Sequence, residues 1–135
     1  MKQAVITASF RKRLKALRRH FSEDDVLEDL KRFVRSGFRV GECELKKEVF
    51  SEIELSVVKL RIRVRSSVGR YLMAVVRDDC IPIFIDLKTG RYGKNMSFNA
   101  SRKVVSMLEN AFEEVLLDYL EHTEEEPRLT RYDLS

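Results

Sequence analysis

The chain reads as an α+β domain: two N-terminal helices packed on a small, mainly antiparallel four-stranded sheet, followed by a long C-terminal helix. Three observations predict this. Two segments before residue 37 carry apolar residues at helical spacing behind Ser N-caps. Residues 56–87 hold three strand-like runs, the first alternating between apolar and basic positions and the third apolar on both faces, separated by short turns. Residues 100–122 carry a broad apolar stripe. At 135 residues with 44% apolar side chains the chain has the size and content of one domain. That domain is expected over 1–122, with 123–135 a flexible tail.

Each element has a local reason. Gln3 to Thr7 contains Ala-Val-Ile and suits a short strand. Ser9 caps a first helix from Phe10 to about His20, with Phe10, Leu14 and Leu17 inward. Ser22 caps a second, with Glu23, Asp24 and Asp25 at its positive end and Gly37 as its stop. Phe38 to Phe50 reads as irregular, with Gly41 as a breaker. Strands are expected at Ser56 to Arg65, Arg70 to Arg77 and Ile81 to Leu87. Ser66 to Gly69 and Asp78-Asp79 are the turns between them. These links are short enough to force an antiparallel meander. Pro82 is expected to end its ladder early or sit in a bulge. Lys88 to Asn99 reads as a loop. Ala100 to His122 reads as a helix with Leu108, Phe112, Val115 and Leu116 in its stripe. Glu124 onward, with Pro127, reads as a frayed end.

The charge pattern narrows the function. Net charge is +4, unevenly distributed. Residues 1–20 hold seven Lys or Arg, 59–77 six and 88–103 five, with no acid in any of the three segments. Residues 109–126 hold eight acids and no Lys or Arg. In Val57 to Arg65, Lys59, Arg61, Arg63 and Arg65 alternate with Val58, Leu60, Ile62 and Val64. On a strand this puts four cations on one face, about 7 Å apart. Such a row repels itself unless it guards an edge or receives a polyanion. With Arg65 opposite Arg70 across the hairpin, Arg70 joins that face. Lys12, Lys15, Arg91 and Lys94 are further candidates for contact with RNA.

Other chemistries have little support. Glycine-rich phosphate loops are absent, and no His, Asp or Glu cluster suggests a metal site. No cofactor is expected. His20 and His122 fall at helix ends and read as helix-terminal cations. Cys43 and Cys80 read as free, half-buried thiols, pointing to the cytoplasm. No apolar run approaches a membrane span, and the N-terminal apolar stretch is too short for a secretory signal. Metal-free RNA cleavage remains open, because RNA carries its own nucleophile, the 2′-hydroxyl. Tyr71, Tyr92, Lys59 and Lys88 are the available proton donors and acceptors.

The order of motifs resembles the RelE/ParE toxin superfamily, in particular its RelE-like branch. Phe10-Arg11-Lys12 matches the early basic helix, and Leu27 to Gly37 the second helix. Lys59-Leu60-Arg61 matches the Lys-x-Arg strand, and Gly69-Arg70-Tyr71 approximates the glycine turn with its basic and aromatic residues. Ile83 to Lys88 and Lys94-Asn95-Met96-Ser97 match the last strand and the following Asn. The resemblance covers about residues 4–98. It implies a metal-independent endonuclease that cuts messenger RNA at the ribosome, held in check by a cognate antitoxin. ParE-like members instead inhibit gyrase, so the alternative is a non-catalytic member binding RNA, gyrase or a protein. Carried over by position, Lys59 and Arg61 bind and polarise the RNA backbone, and Arg70 stabilises the phosphate transition state. Lys88, with Arg91 and Tyr92, stands where the family places its acid or base. The chain departs from the pattern in its glycine-poor turn, in Asp86 two residues before Lys88, and in the added helix. That helix could cover the basic face, mimic an antitoxin helix or join two copies in a homodimer.

Overall fold

The computed structural model describes residues 2–36 and 44–135. The elements are β1 (Gln3–Thr7), α1 (Ala8–Ala16), α2 (Glu23–Arg35), β2 (Glu44–Phe50), β3 (Ile53–Val64), β4 (Ser67–Val76), β5 (Asp79–Leu87), α3 (Arg102–Glu121) and β6 (Leu129–Asp133). The strands form one six-stranded sheet in the order β2-β3-β4-β5-β1-β6. This corrects the expected four-stranded, mainly antiparallel sheet. β1 runs parallel to β5, so the sheet is mixed. The two additional strands come from segments expected to be irregular. Residues 44–50 pair with β3, and 129–133 pair with β1 over five positions. The anticipated tail therefore closes one edge of the sheet, and Leu134 is fully buried. Gly37, Phe38, Gly41 and Cys43 lie outside the described residues.

β2 to β5 form a meander whose three hairpins each turn in two residues, Ser51-Glu52, Arg65-Ser66 and Arg77-Asp78. Such turns need left-handed backbone, usually supplied by Gly or Asn. Here Ser51, Glu52, Arg65 and Arg77 take φ of 47°, 69°, 56° and 52°. Of the expected turn at 66–69 only Ser66 is turn, residues 67–69 belong to β4, and the register shifts. Arg70 stands opposite Arg61, not Arg65. The ladder slips between Leu72 and Met73, opposite Pro82 and Phe84, where a missing amide is tolerated.

The strand β1 runs straight into α1, and Thr7 is the N-cap, its hydroxyl accepting from the Phe10 amide at 3.1 Å. Ser9 lies inside α1, and its amide donates to Asp118 of α3 at 2.9 Å. α2 opens with a capping box, in which Ser22 and Asp25 exchange side chain-to-backbone hydrogen bonds of 2.8 and 3.1 Å.

Alternation assigns the two sheet faces. Val58, Leu60, Ile62, Tyr71, Met73 and Ile85 share one face with α2, marked by the Tyr71 hydroxyl donating to Asp29. Burial pushes the Tyr71 phenol well above its ordinary pKa, and Asp29 adds to this. Leu55, Val57 and Ala74 lie on the other face with α3, whose Phe112 meets the Phe50 ring edge-on at 5.9 Å. β5 lies between β4 and β1 and is buried on both faces. Truncating a wholly buried side chain such as Phe10 or Ile62 to Ala would cost about 2–5 kcal/mol. Cys80 is fully buried, not half-buried, and burial pushes its thiol up to about 11, which leaves it inert at neutral pH.

Candidate nucleic-acid interface

On the α3 side, three cross-strand rows place the basic residues side by side. Lys59 pairs with Leu72 and then Phe84. Arg61 pairs with Arg70 and then Asp86. Arg63 pairs with Val68, whose carbonyl accepts from the Lys88 amide at 2.9 Å. α3 covers the part of this face around Leu55 and Val57, and Lys59 to Arg63 lie along β3 past it. Arg61 and Arg63 are exposed, and Lys59 is half-buried. Their side chains make no hydrogen bond or ion pair with any described residue. A row of like charges without counter-charge raises the potential over the face and lowers stability slightly.

Arg70 behaves differently. Its Nη1 donates to the carbonyls of Gly93 and Lys94 at 2.9 and 3.3 Å. These bonds pin the loop after β5 against the sheet. Asp86 holds the same loop from the next strand. Its carboxylate accepts from the amides of Leu87 (2.8 Å), Tyr92 (2.8 Å) and Gly93 (3.2 Å). Arg13 of α1 closes the group: its Nη2 lies 3.3 Å from Asp86, its Nε donates to the Ile85 carbonyl at 2.8 Å, and its guanidinium stacks 4.3 Å from the Phe84 ring centre. The Asp86 charge is therefore turned into the loop and compensated there. The loop has no room to shift at Gly93, where a Cβ would stand 1.8 Å from the Leu87 carbonyl oxygen.

The remaining candidates divide. Lys88 continues the face beside Arg63 and is exposed. Tyr92 packs edge-on against Phe84 at 5.5 Å, with Arg91 stacked 5.5 Å from its ring, and its hydroxyl has no partner among the described residues. Lys94 is exposed beside the Arg70 tether. Arg65 is at the β3–β4 tip and has left the row, because its φ of 56° belongs to the turn. Lys12 lines a groove between α1 and α3 that also holds Glu114, away from the row. Lys15 lies beside Arg18 and Arg19 at the end of α1. Tyr71 is excluded as a proton donor at the basic face, since it points to the α2 side and bonds Asp29. His122 is an acceptor: its Nδ1 takes the amides of Arg128 (2.8 Å) and Leu129 (3.3 Å) and turns the chain into β6. Sequence reasoning missed the role of Arg13. It enters the sequence reading only as one of the seven basic residues of 1–20, and the Asp86 contact is what sets it apart.

Among the described residues no helix is long and apolar enough to cross a membrane. No family model, characterised protein or solved structure matches the chain.

Proposed function

We propose that the face built by Lys59, Arg61, Arg63 and Lys88 binds RNA through its phosphate backbone. The observation that carries this reading is the cluster of uncompensated cations on β3, set beside another arginine, Arg70, whose Nη1 is taken up by the loop carbonyls. Backbone contacts of this kind are sequence-tolerant and steeply salt-dependent. RNA, rather than DNA, follows from the RelE-like order of motifs, which also makes the ribosome and a cognate antitoxin the partners to test. Binding of labelled single-stranded RNA across a salt series tests the reading, because replacing Lys59, Arg61 and Arg63 with Ala should lower the salt slope by about 2.

Cleavage is the second reading, favoured by Lys88 standing across Val68 from Arg63 and by the unbonded Tyr92 hydroxyl. In it the RNA 2′-oxygen attacks the adjacent phosphorus and the bond to the 5′-oxygen breaks. A base takes the 2′-proton, an acid supplies one to the leaving oxygen, and Lys59 and Arg61 hold the phosphate. The products are a 2′,3′-cyclic phosphate and a 5′-hydroxyl. Inducing the chain in a bacterial host and mapping messenger ends tests this: codon-positioned cuts abolished by Arg61→Ala support the enzyme, and an intact messenger pool with folded protein removes it.

A further inference from the structure

A second basic feature lies round the β3–β4 hairpin tip from the row, on the α2 side of the sheet, where Val64 and Ser67 line it. Beyond the β3–β4 hairpin tip lies a cleft of ≈ 580 Å³ whose walls include Arg18, Arg19, His20, Arg65, Ser66 and Ser67. The two walls come from different parts of the chain and are tied together. His20 Nδ1 lies 2.9 Å from the Ser67 hydroxyl. Phe21, next to His20, is buried and packs so tightly under Gly69 that a Cβ there would lie 2.7 Å from its ring. The turn carrying Arg18 and Arg19 is fixed by backbone hydrogen bonds from His20 and Phe21 to the Leu17 carbonyl at 2.9 and 3.0 Å.

Charge in the cleft is predominantly positive. Arg18, Arg19 and Arg65 are exposed, with no acceptor among the described residues. The acid in the lining is Asp25, whose carboxylate already accepts the Ser22 amide at 2.8 Å in the capping box of α2. Three guanidinium groups, an imidazole and two hydroxyls in a concave site suit a compact, doubly charged group with several acceptor oxygens. A phosphate monoester is such a group, whereas the bridging phosphate of a nucleic-acid chain carries one charge. A flat row suits the bridging phosphates and a cleft suits an end.

We propose that this cleft binds a phosphate monoester, with the terminal phosphate of an RNA strand that leaves the β3 row and turns over the hairpin tip as its source. The identity of the strand rests on the RNA-binding reading above; the phosphate chemistry of the cleft does not.

Two measurements test the proposal and separate it from that reading. The first is an amide NMR titration with inorganic phosphate. Saturable shifts confined to Arg18–Ser22 and Arg65–Ser67, lost in the Arg18→Ala/Arg19→Ala/Arg65→Gly variant, are expected. Glycine suits φ of 56°, so the hairpin keeps its turn in that variant. Absence of saturation, or shifts that persist in the variant, overturns the site whether or not RNA binds. The second compares RNA strands carrying a 5′-phosphate, a 3′-phosphate or neither. One phosphorylated end is expected to bind about tenfold more tightly, and the variant to erase that difference. Saturable phosphate binding with equal affinity for all three strands overturns the RNA end as source, and leaves a free phosphate or mononucleotide as the ligand of the same chemistry.

Discussion

Arg61 and Arg70 face each other across the β3–β4 ladder, and only Arg70 has an internal partner. Two like charges opposite one another are unfavourable. The Arg70 guanidinium escapes part of that cost by reaching the Gly93 and Lys94 carbonyls, which leaves Arg61 as the outward cation of the pair. The two residues therefore separate experimentally. Arg70→Ala should lose about 1–2 kcal/mol of stability and speed amide exchange across residues 88–101. Arg61→Ala should leave the urea midpoint unchanged or slightly raised and weaken RNA binding. The reverse pattern would show that the tether is Arg61.

Asp86 is the other anchor of the loop. Removing it leaves Arg13 facing a half-buried void and the amides of Leu87, Tyr92 and Gly93 without this acceptor. Asp86→Ala should cost about 3–5 kcal/mol, measured by urea unfolding, and Asp86→Asn less because one acceptor oxygen survives.

Gly93→Ala should be at least as damaging. Its Cβ would overlap the Leu87 carbonyl oxygen, and backbone cannot yield as a side-chain tip can. Loss of the loop signals from a folded NMR spectrum, or failure to fold, is expected. A variant as stable as the parent would mean the loop packs differently.

Much of this architecture was legible. The apolar stripes located α1, α2 and α3, and alternation at Lys59 to Val64 assigned β3 its charged and apolar faces correctly. The sheet was undercounted for two physical reasons. Residues 44–50, Glu-Leu-Lys-Lys-Glu-Val-Phe, are an edge strand whose charges mask a period of two, and 129–133 become a strand only by pairing with the N-terminal strand β1, far away in sequence. The hairpins were misplaced because Arg65 and Arg77, not glycines, take left-handed φ. On the interface, residue type told which side chains are basic, but not which are already occupied. That separation depends on Arg13, Asp86 and the loop backbone, three parts of the chain brought together only by folding.

The edge strand β6 is secured by Glu23, which links α2 to both α1 and β6. Arg11 Nε donates to its carboxylate at 2.6 Å, and so does the Tyr132 hydroxyl at 2.6 Å. The Arg11 hydrogen bond holds the Glu23 carboxyl below its ordinary value. A lowered folded pKa means the group stabilises the fold above the unfolded value, near 4.5, and that this share is lost as pH falls through the folded value. Glu23→Gln should therefore cost about 1–2 kcal/mol at pH 7 and converge with the parent in acid. A difference that stays constant from neutral pH down through that window would contradict the ion pair.

The central claim is that the β3 face receives RNA phosphates. The most direct measurement is the affinity for a short single-stranded RNA, by fluorescence anisotropy between about 50 and 200 mM salt. It compares the parent, the Lys59→Ala/Arg61→Ala/Arg63→Ala variant, and a Lys31→Ala/Arg35→Ala control on α2, across the sheet. The account predicts that the parent and control bind with the same steep salt slope, and that the triple variant keeps its fold but loses most of the affinity. Equal binding by parent and triple variant, or no binding by the parent at the lowest salt, would contradict it.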